Sequence, residues 1–195
     1  MKVLVVYAHP NPKSFNHAVL ESFTKGLADA GHRFDLVDLY DIGFNPCLSQ
    51  DDFDRLAKRE TPDDIKIQQE KVTDADGLAF IHPIWWTGPP AILKGWIDRV
   101  FFMGFAYNID EKTGHYAGLL KHRKAMVIGT AAASETEAKA AGLEDAFKKI
   151  DTDGIFRFCG IATVEEVIFH NVVAADDLTR RNYLNQAYTL GMTFE

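Results

Sequence analysis

Apolar residues fall into short unbroken runs, separated by stretches in which they recur every three or four positions. Residues 2–8 (KVLVVYA) form the first run, rich in β-branched side chains, as expected of a strand buried on both faces of a parallel sheet. Residues 16–30 then carry Val19, Leu20, Phe23, Leu27 and Ala30 at helical spacing, and Gly31 suits the helix stop. Residues 33–39 alternate like a second strand, and the polar stretch 49–76 predicts one or two short helices broken at Pro62. A third strand spans 77–81. A helix over 90–102 turns Ile92, Leu93, Trp96, Ile97, Val100 and Phe101 inward. The pattern continues with a strand over 124–130 (KAMVIGT), a helix over 143–150, a strand over 163–169 and a last helix over 177–190.

Strands alternating with helices in this way predict a right-handed, doubly wound parallel sheet with helices on both faces. Five strands within a single domain, residues 1–195, fit the flavodoxin-like order 2-1-3-4-5 better than a six-stranded dinucleotide fold. Ligands of such sheets bind outside the carboxyl ends of the strands, where the strand order reverses between strands 1 and 3. Three loops are thereby singled out: 9–17, 82–90 and 130–136.

Composition narrows the partners. With 21 Lys and Arg against 28 Asp and Glu, the net charge of −7 and the lack of a basic cluster argue against nucleic acid. No apolar run approaches the roughly 20 residues of a membrane span, and residues 3–8 do not read as a signal peptide. Cys47 and Cys159 have neither CxxC nor metal-ligand spacing, so a reduced, cytoplasmic protein with no metal is expected.

The first loop, AHPNPKSFN, has neither GxGxxG nor a P-loop. Its Lys13, His9, Ser14 and Asn16 stand where a helix begins, a place that favours an anion; Ser14 or Asn16 would equally serve as the helix cap. The second, HPIWWTGPP, holds two of the three tryptophans. It reads either as a rigid turn covering a hydrophobic rim or as a stiff wall for a flat ring, with Gly88 permitting positive φ or close approach. In the third, Thr130, Ala131, Ala132 and Ala133 offer backbone N–H groups, and Glu135 and Glu137 read as solvated charge at a helix start. His115 and His122 flank Tyr116 in a polar connection and read as loop histidines. His170 reads as structural, and Cys159 as buried packing.

The segment from Phe80 to Phe102, FIHPIWWTGPPAILKGWIDRVFF, closely resembles the NAD(P)H:quinone oxidoreductases of the DT-diaphorase type, which carry an aromatic P-x-x-W-x-G-x-PA-x-LKGW-x-[DE]-RVF segment here. The likeness extends to Gly104-Phe105-Ala106-Tyr107, to Ala8-His9 with Ser14-Phe15-Asn16, and to Phe158-Cys159-Gly160. The resemblance implies a flavoprotein enzyme, usually a homodimer with FAD (FMN being the alternative). Such an enzyme passes two electrons by ping-pong hydride transfer from NADH or NADPH, through the flavin, to a quinone. It further implies that His9, Ser14, Phe15 and Asn16 hold the phosphates and ribityl chain. Pro83, Ile84, Trp85, Trp86 and Gly88 would line the ring, and Thr130, Ala131 and Ala132 would supply backbone donors. Tyr107 and Phe158 would border the substrate pocket, from the neighbouring subunit. The family's TTGG-type turn, and the Tyr and His that follow it, are absent: Gly129-Thr130 leads into three alanines, with no Tyr or His from there to residue 150. Two other roles fit the same fold, a regulatory flavoprotein subunit of an ion-efflux system and a flavodoxin-like electron carrier.

Overall fold

A computed structural model describes all 195 residues. Five strands form one parallel sheet: β1 (Lys2–Tyr7), β2 (Arg33–Asp38), β3 (Gly77–Pro83), β6 (Lys124–Thr130) and β7 (Val164–Phe169), in the order β2-β1-β3-β6-β7. This is the expected 2-1-3-4-5 order. The central strands β3 and β6 are buried at every position, which explains why they read as unbroken apolar runs. A separate two-stranded antiparallel hairpin joins β4 (Tyr107–Ile109) and β5 (Tyr116–Gly118).

One face of the sheet is covered by α1 (Phe15–Asp29) and α7 (Asp177–Met192), which enclose Val5, Phe23, Leu27, Ile81, Met126 and Phe194. The other face carries α2 (Gln50–Ala57), α3 (Asp63–Thr73), α4 (Ala91–Val100) and a π-helical segment, Lys148–Arg157. Its core is aromatic, with Phe80 meeting Trp96, Phe101 and Phe156 at centroid distances of 5.9, 6.5 and 4.9 Å. Arg99 of α4 anchors the polar stretch 49–76: its guanidinium is buried and donates to Asp52 at 2.9 Å, Asp64 at 2.7 Å and the Asn45 carbonyl at 2.9 Å.

Two local expectations change, and the helix start read at Glu135 and Glu137 is present. β3 runs to Pro83, so His82 and Pro83 belong to the strand and the second loop begins at Ile84. The helix expected over 143–150 is α-helical only as α6 (Leu143–Phe147), then widens into the π-helical segment. A short α5 (Glu135–Ala140) follows the third loop, started by Ser134 and Glu137 in a reciprocal capping box. No helix is long and apolar enough to cross a membrane.

Candidate functional site at the sheet's switch point

The sheet register places the loops side by side. Tyr7 of β1 lies opposite Ile81 of β3, and Pro83 lies opposite Thr130 of β6. The chains leaving β1, β3 and β6 therefore emerge from one edge, and three contacts tie them together. Asn16 is buried and donates from Nδ2 to Thr130 Oγ1 at 2.9 Å. The Ile84 N–H donates to the Thr130 carbonyl at 2.8 Å. The His9 ring meets Trp85 edge-on, with centroids 5.8 Å apart.

In the first loop, Asn11 shapes the chain: its side chain accepts from the Lys13 N–H at 2.9 Å, and its own N–H donates to His9 Nδ1 at 3.0 Å. Nδ1 must then be the unprotonated nitrogen, so the His9 proton sits on Nε2 as a donor. Burial lowers the His9 pKa and keeps the ring neutral. Ser14 is the N-cap of α1, accepting from the His17 N–H at 3.1 Å. That takes one of the four N–H groups a first turn leaves free. Phe15 turns its ring toward Tyr183 of α7, at 6.5 Å, leaving only its backbone at the loop. Asn16 Oδ1 is buried and has no partner in the protein, an acceptor at the site's centre that lacks a donor.

The second loop is a two-residue hairpin. Trp85 N–H donates to the Gly88 carbonyl at 2.9 Å and Gly88 N–H returns a bond to the Trp85 carbonyl at 3.2 Å. Its two central residues are Trp86 and Thr87, with φ of 49° and 61°. This is the type I′ arrangement, usually filled by Asn-Gly, here forced on an aromatic and a β-branched residue. Gly88 has no positive φ, so that role expected of it passes to its two predecessors. Trp86 is fully exposed and Trp85 is 43% exposed, whereas Trp96 is wholly buried. A rigid turn with one tryptophan packed inward and the other covering a rim is therefore not what forms: neither loop indole is buried, and Trp86 covers nothing.

The third loop offers less than expected. The Ala131 N–H donates to the Phe169 carbonyl at 2.9 Å and continues the sheet, which removes it as a ligand donor. The N–H groups of Ala132 and Ala133 remain without a partner in the protein, and both residues are exposed. Glu135 pairs with Lys139, and Glu137 with Ser134, as helix-start charges do.

Tyr107 and Phe158 come together elsewhere, on the hairpin and after the π-helical segment. Their rings lie 5.1 Å apart, and Tyr116 joins them at 6.2 and 5.4 Å. Tyr116 is 61% exposed and Phe158 37%. The patch makes no ring contact with His9, Trp85 or Trp86 of the same chain. Tyr116 was legible only as a neighbour of His115 and His122; the hairpin pairing that brings it to Tyr107 has no sequence signal of its own. His122 is structural, bonded through Nε2 to the Val72 carbonyl at 2.8 Å. Cys159 is buried, and burial pushes its thiol up to about 11.

The switch-point edge thus combines a helix start, a buried acceptor without a donor, and two exposed indoles on a braced turn. Known proteins resemble this chain over most of its length. Residues 1–190 match a family model described as flavodoxin-like fold. An uncharacterised NAD(P)H oxidoreductase of Haemophilus influenzae is 32% identical over 188 residues, covering 96% of this chain and 92% of the relative. A rat ribosyldihydronicotinamide dehydrogenase [quinone] is 32% identical over 180 residues, covering 82% and 77%. Among solved structures, an NAD(P)H:quinone oxidoreductase from Methanothermobacter marburgensis superposes with a TM-score of 0.93 at 35% identity. That match covers 100% of this chain and 99% of the other.

Proposed function

Since the chain belongs to the NAD(P)H:quinone oxidoreductase family of flavodoxin-like proteins, we propose that it is a flavin-dependent enzyme that passes two electrons from NAD(P)H to a quinone by a ping-pong sequence. The observation that carries this reading is the buried Asn16 Oδ1, left without a donor beside the exposed Trp85–Trp86 turn. A bound hydroxyl would satisfy that oxygen, and a flat ring would cover the indoles.

The residues fit a flavin by their chemistry. The first turn of α1 presents free N–H groups and the positive end of the helix dipole to a phosphate. His9 Nε2–H adds a neutral donor, and Asn16 Oδ1 accepts a ribityl hydroxyl. Pro83 and the Pro89–Pro90 pair stiffen the entrance and exit of the turn that carries Ile84, Trp85 and Trp86. When bound, the flavin supplies the redox chemistry, taking a hydride from the nicotinamide and giving it to the acceptor. The N–H groups of Ala132 and Ala133 then stand as fixed donors for the negative charge that reduction develops. FAD is the flavin the family resemblance favours, and mass measurement of the extracted cofactor decides between FAD and FMN. The same resemblance favours a cytoplasmic homodimer in which Tyr107 and Phe158 of one copy border the pocket of the other.

Steady-state oxidation of NADH and NADPH by a simple benzoquinone tests the activity, and absence of turnover in flavin-loaded protein refutes it. Trp86→Ala is expected to weaken flavin binding about tenfold through lost ring contact. An unchanged Kd would reduce Trp86 to scaffold.

A further inference from the structure

Two carboxylates and a histidine converge beneath the aromatic turn, outside the residues used so far. His82 of β3, Asp151 of the π-helical segment and Glu166 of β7 line one small void, together with Ile84 and Gly88. Its solvent-accessible volume of ≈ 10 Å³ matches a single water molecule. His82 is 4% exposed, and its Nδ1 lies 3.0 Å from the Pro83 carbonyl. A carbonyl only accepts, so Nδ1 holds the proton and Nε2 presents a lone pair, for which the protein supplies no donor. Burial drops the His82 pKa to about 4, keeping the ring neutral. On the turn side, Gly88 leaves open space where a Cβ would stand, so no side chain seals the void there.

Glu166 also reaches the outside. It lines an open cleft of ≈ 350 Å³ that Lys148, Glu144, His170 and Tyr183 share. One carboxylate therefore borders both the outer cleft and the buried void, with Asp151 beside it. Thr152 Oγ1 donates to Glu166 at 3.5 Å. Burial, with the neighbouring Asp151 charge adding to it, raises Glu166 to about 7, while Thr152 and Lys148 pull it back. Burial alone raises Asp151 to about 6. The other ionisable groups of the cleft are Glu135, paired with Lys139, and Glu144, 3.8 Å from His170 Nε2.

We propose that Glu166 and Asp151 carry protons from the outer cleft to the void under the Ile84–Gly88 turn, in place of the Tyr and His that the family resemblance leads one to expect after residue 130. The proposal rests on the quinone reductase reading. In that reaction NAD(P)H, a quinone and one solvent proton become NAD(P)⁺ and a quinol. The hydride brings two electrons and one proton, and the second proton comes from water. Hydride transfer leaves a quinol anion; Glu166 gives up that second proton inward by way of Asp151 and the void to this anion, then regains one from the cleft, so the pair ends each turnover unchanged.

Glu166→Gln, with Glu166→Asp as its conservative partner, tests the route through two independent readouts. In flavin-free protein, infrared pH titration is expected to show protonated carboxyl absorption lost in two steps, near pH 6 and near pH 7, of which Glu166→Gln removes the upper and keeps the Asp151 step. In loaded protein, stopped flow separates bleaching of flavin absorbance by NAD(P)H from its recovery on mixing with benzoquinone. Glu166→Gln should leave bleaching within about twofold, slow recovery by about tenfold or more, and flatten its pH dependence over about pH 6 to 8. Glu166→Asp should restore most of the rate. Thermal melts supply the sign. A carboxyl raised from 4.5 to about 7 binds more protons folded than unfolded in that window. Wild type therefore loses stability relative to Glu166→Gln as pH climbs through it. Recovery at the wild-type rate and pH profile, or no titrating carboxyl, overturns the route alone. A wild type whose flavin never recovers with quinone overturns the enzyme reading, and the route with it.

Discussion

Trp86 and Thr87 hold a left-handed backbone that neither side chain favours, at a penalty of about 1–2 kcal/mol per residue. Reciprocal bonds between Trp85 and Gly88 close the turn over them, and Ile84 fastens it to the end of β6. Trp86, at the first of these two positions, is fully exposed. Thr87→Gly removes the steric conflict at φ 61°, offset by the greater freedom of glycine in the unfolded chain. A net gain of about 1 kcal/mol is expected, ~2–4 °C in Tm of the flavin-free protein. A lower Tm would show that Thr87 contributes more by contact than it loses in conformation. At this scale the sequence pointed to the place and missed the conformation. Proline, glycine and adjacent tryptophans marked a braced aromatic loop, but composition suggested Gly88 for the unusual φ. Which residue takes it depends on hydrogen bonds across the turn, which no local propensity records.

The elements that position this turn depend on close backbone approach. α1 and α7 cross with Gly26 and Gly191 at the contact: a Cβ on Gly26 would stand 2.1 Å from the Tyr188 carbonyl oxygen, and one on Gly191 2.2 Å from that of Phe23. Backbone oxygens in mid-helix cannot swing aside, so the helices must separate. Gly26→Ala is expected to destabilise by about 2 kcal/mol, ~4–8 °C in Tm by calorimetry. An unchanged Tm would mean that α7 docks more loosely than its packing suggests. β1, β3 and β6 were legible because double burial leaves unbroken apolar runs, as in KVLVVYA and KAMVIGT. The edge strands β2 and β7 are only partly buried, and β2 showed instead as alternation. β4 and β5 were not legible, being three residues each, with no alternation to detect. The third strand ended two residues early on paper, where the apolar run meets His82; Pro83, the last residue of β3, still pairs in register with Thr130. Arg99 stood in plain sight within GWIDRV, yet its buried pairing with Asp52 spans 47 positions. Separations of that size leave no periodic trace.

For the molecule as a whole, two of its exposed aromatic groups bear on the site. Trp86 stands in solvent at the switch point, and Tyr107, Tyr116 and Phe158 form a second group that makes no ring contact with it. A twofold homodimer would let each copy offer its aromatic group to the other's switch point, giving two equivalent sites from one pair of patches. Purely monomeric action instead requires both groups to work within one chain. The two cases separate by mixing Trp86→Ala with Phe158→Ala, each expected to be impaired alone. In a shared-site dimer, a hybrid of the two variants has one site carrying both changes and one site carrying neither. Random exchange makes about half the dimers hybrid and so restores about a quarter of wild-type quinone reduction. Restoration should follow the kinetics of subunit exchange, read by light scattering and native mass measurement on the same samples. A monomer in solution, or hybrids with no recovered activity, would return Tyr107 and Phe158 to an ordinary packing role. Recovery near a quarter would make the smallest complete catalytic unit two chains, with the strained turn of one closed by the aromatic patch of the other.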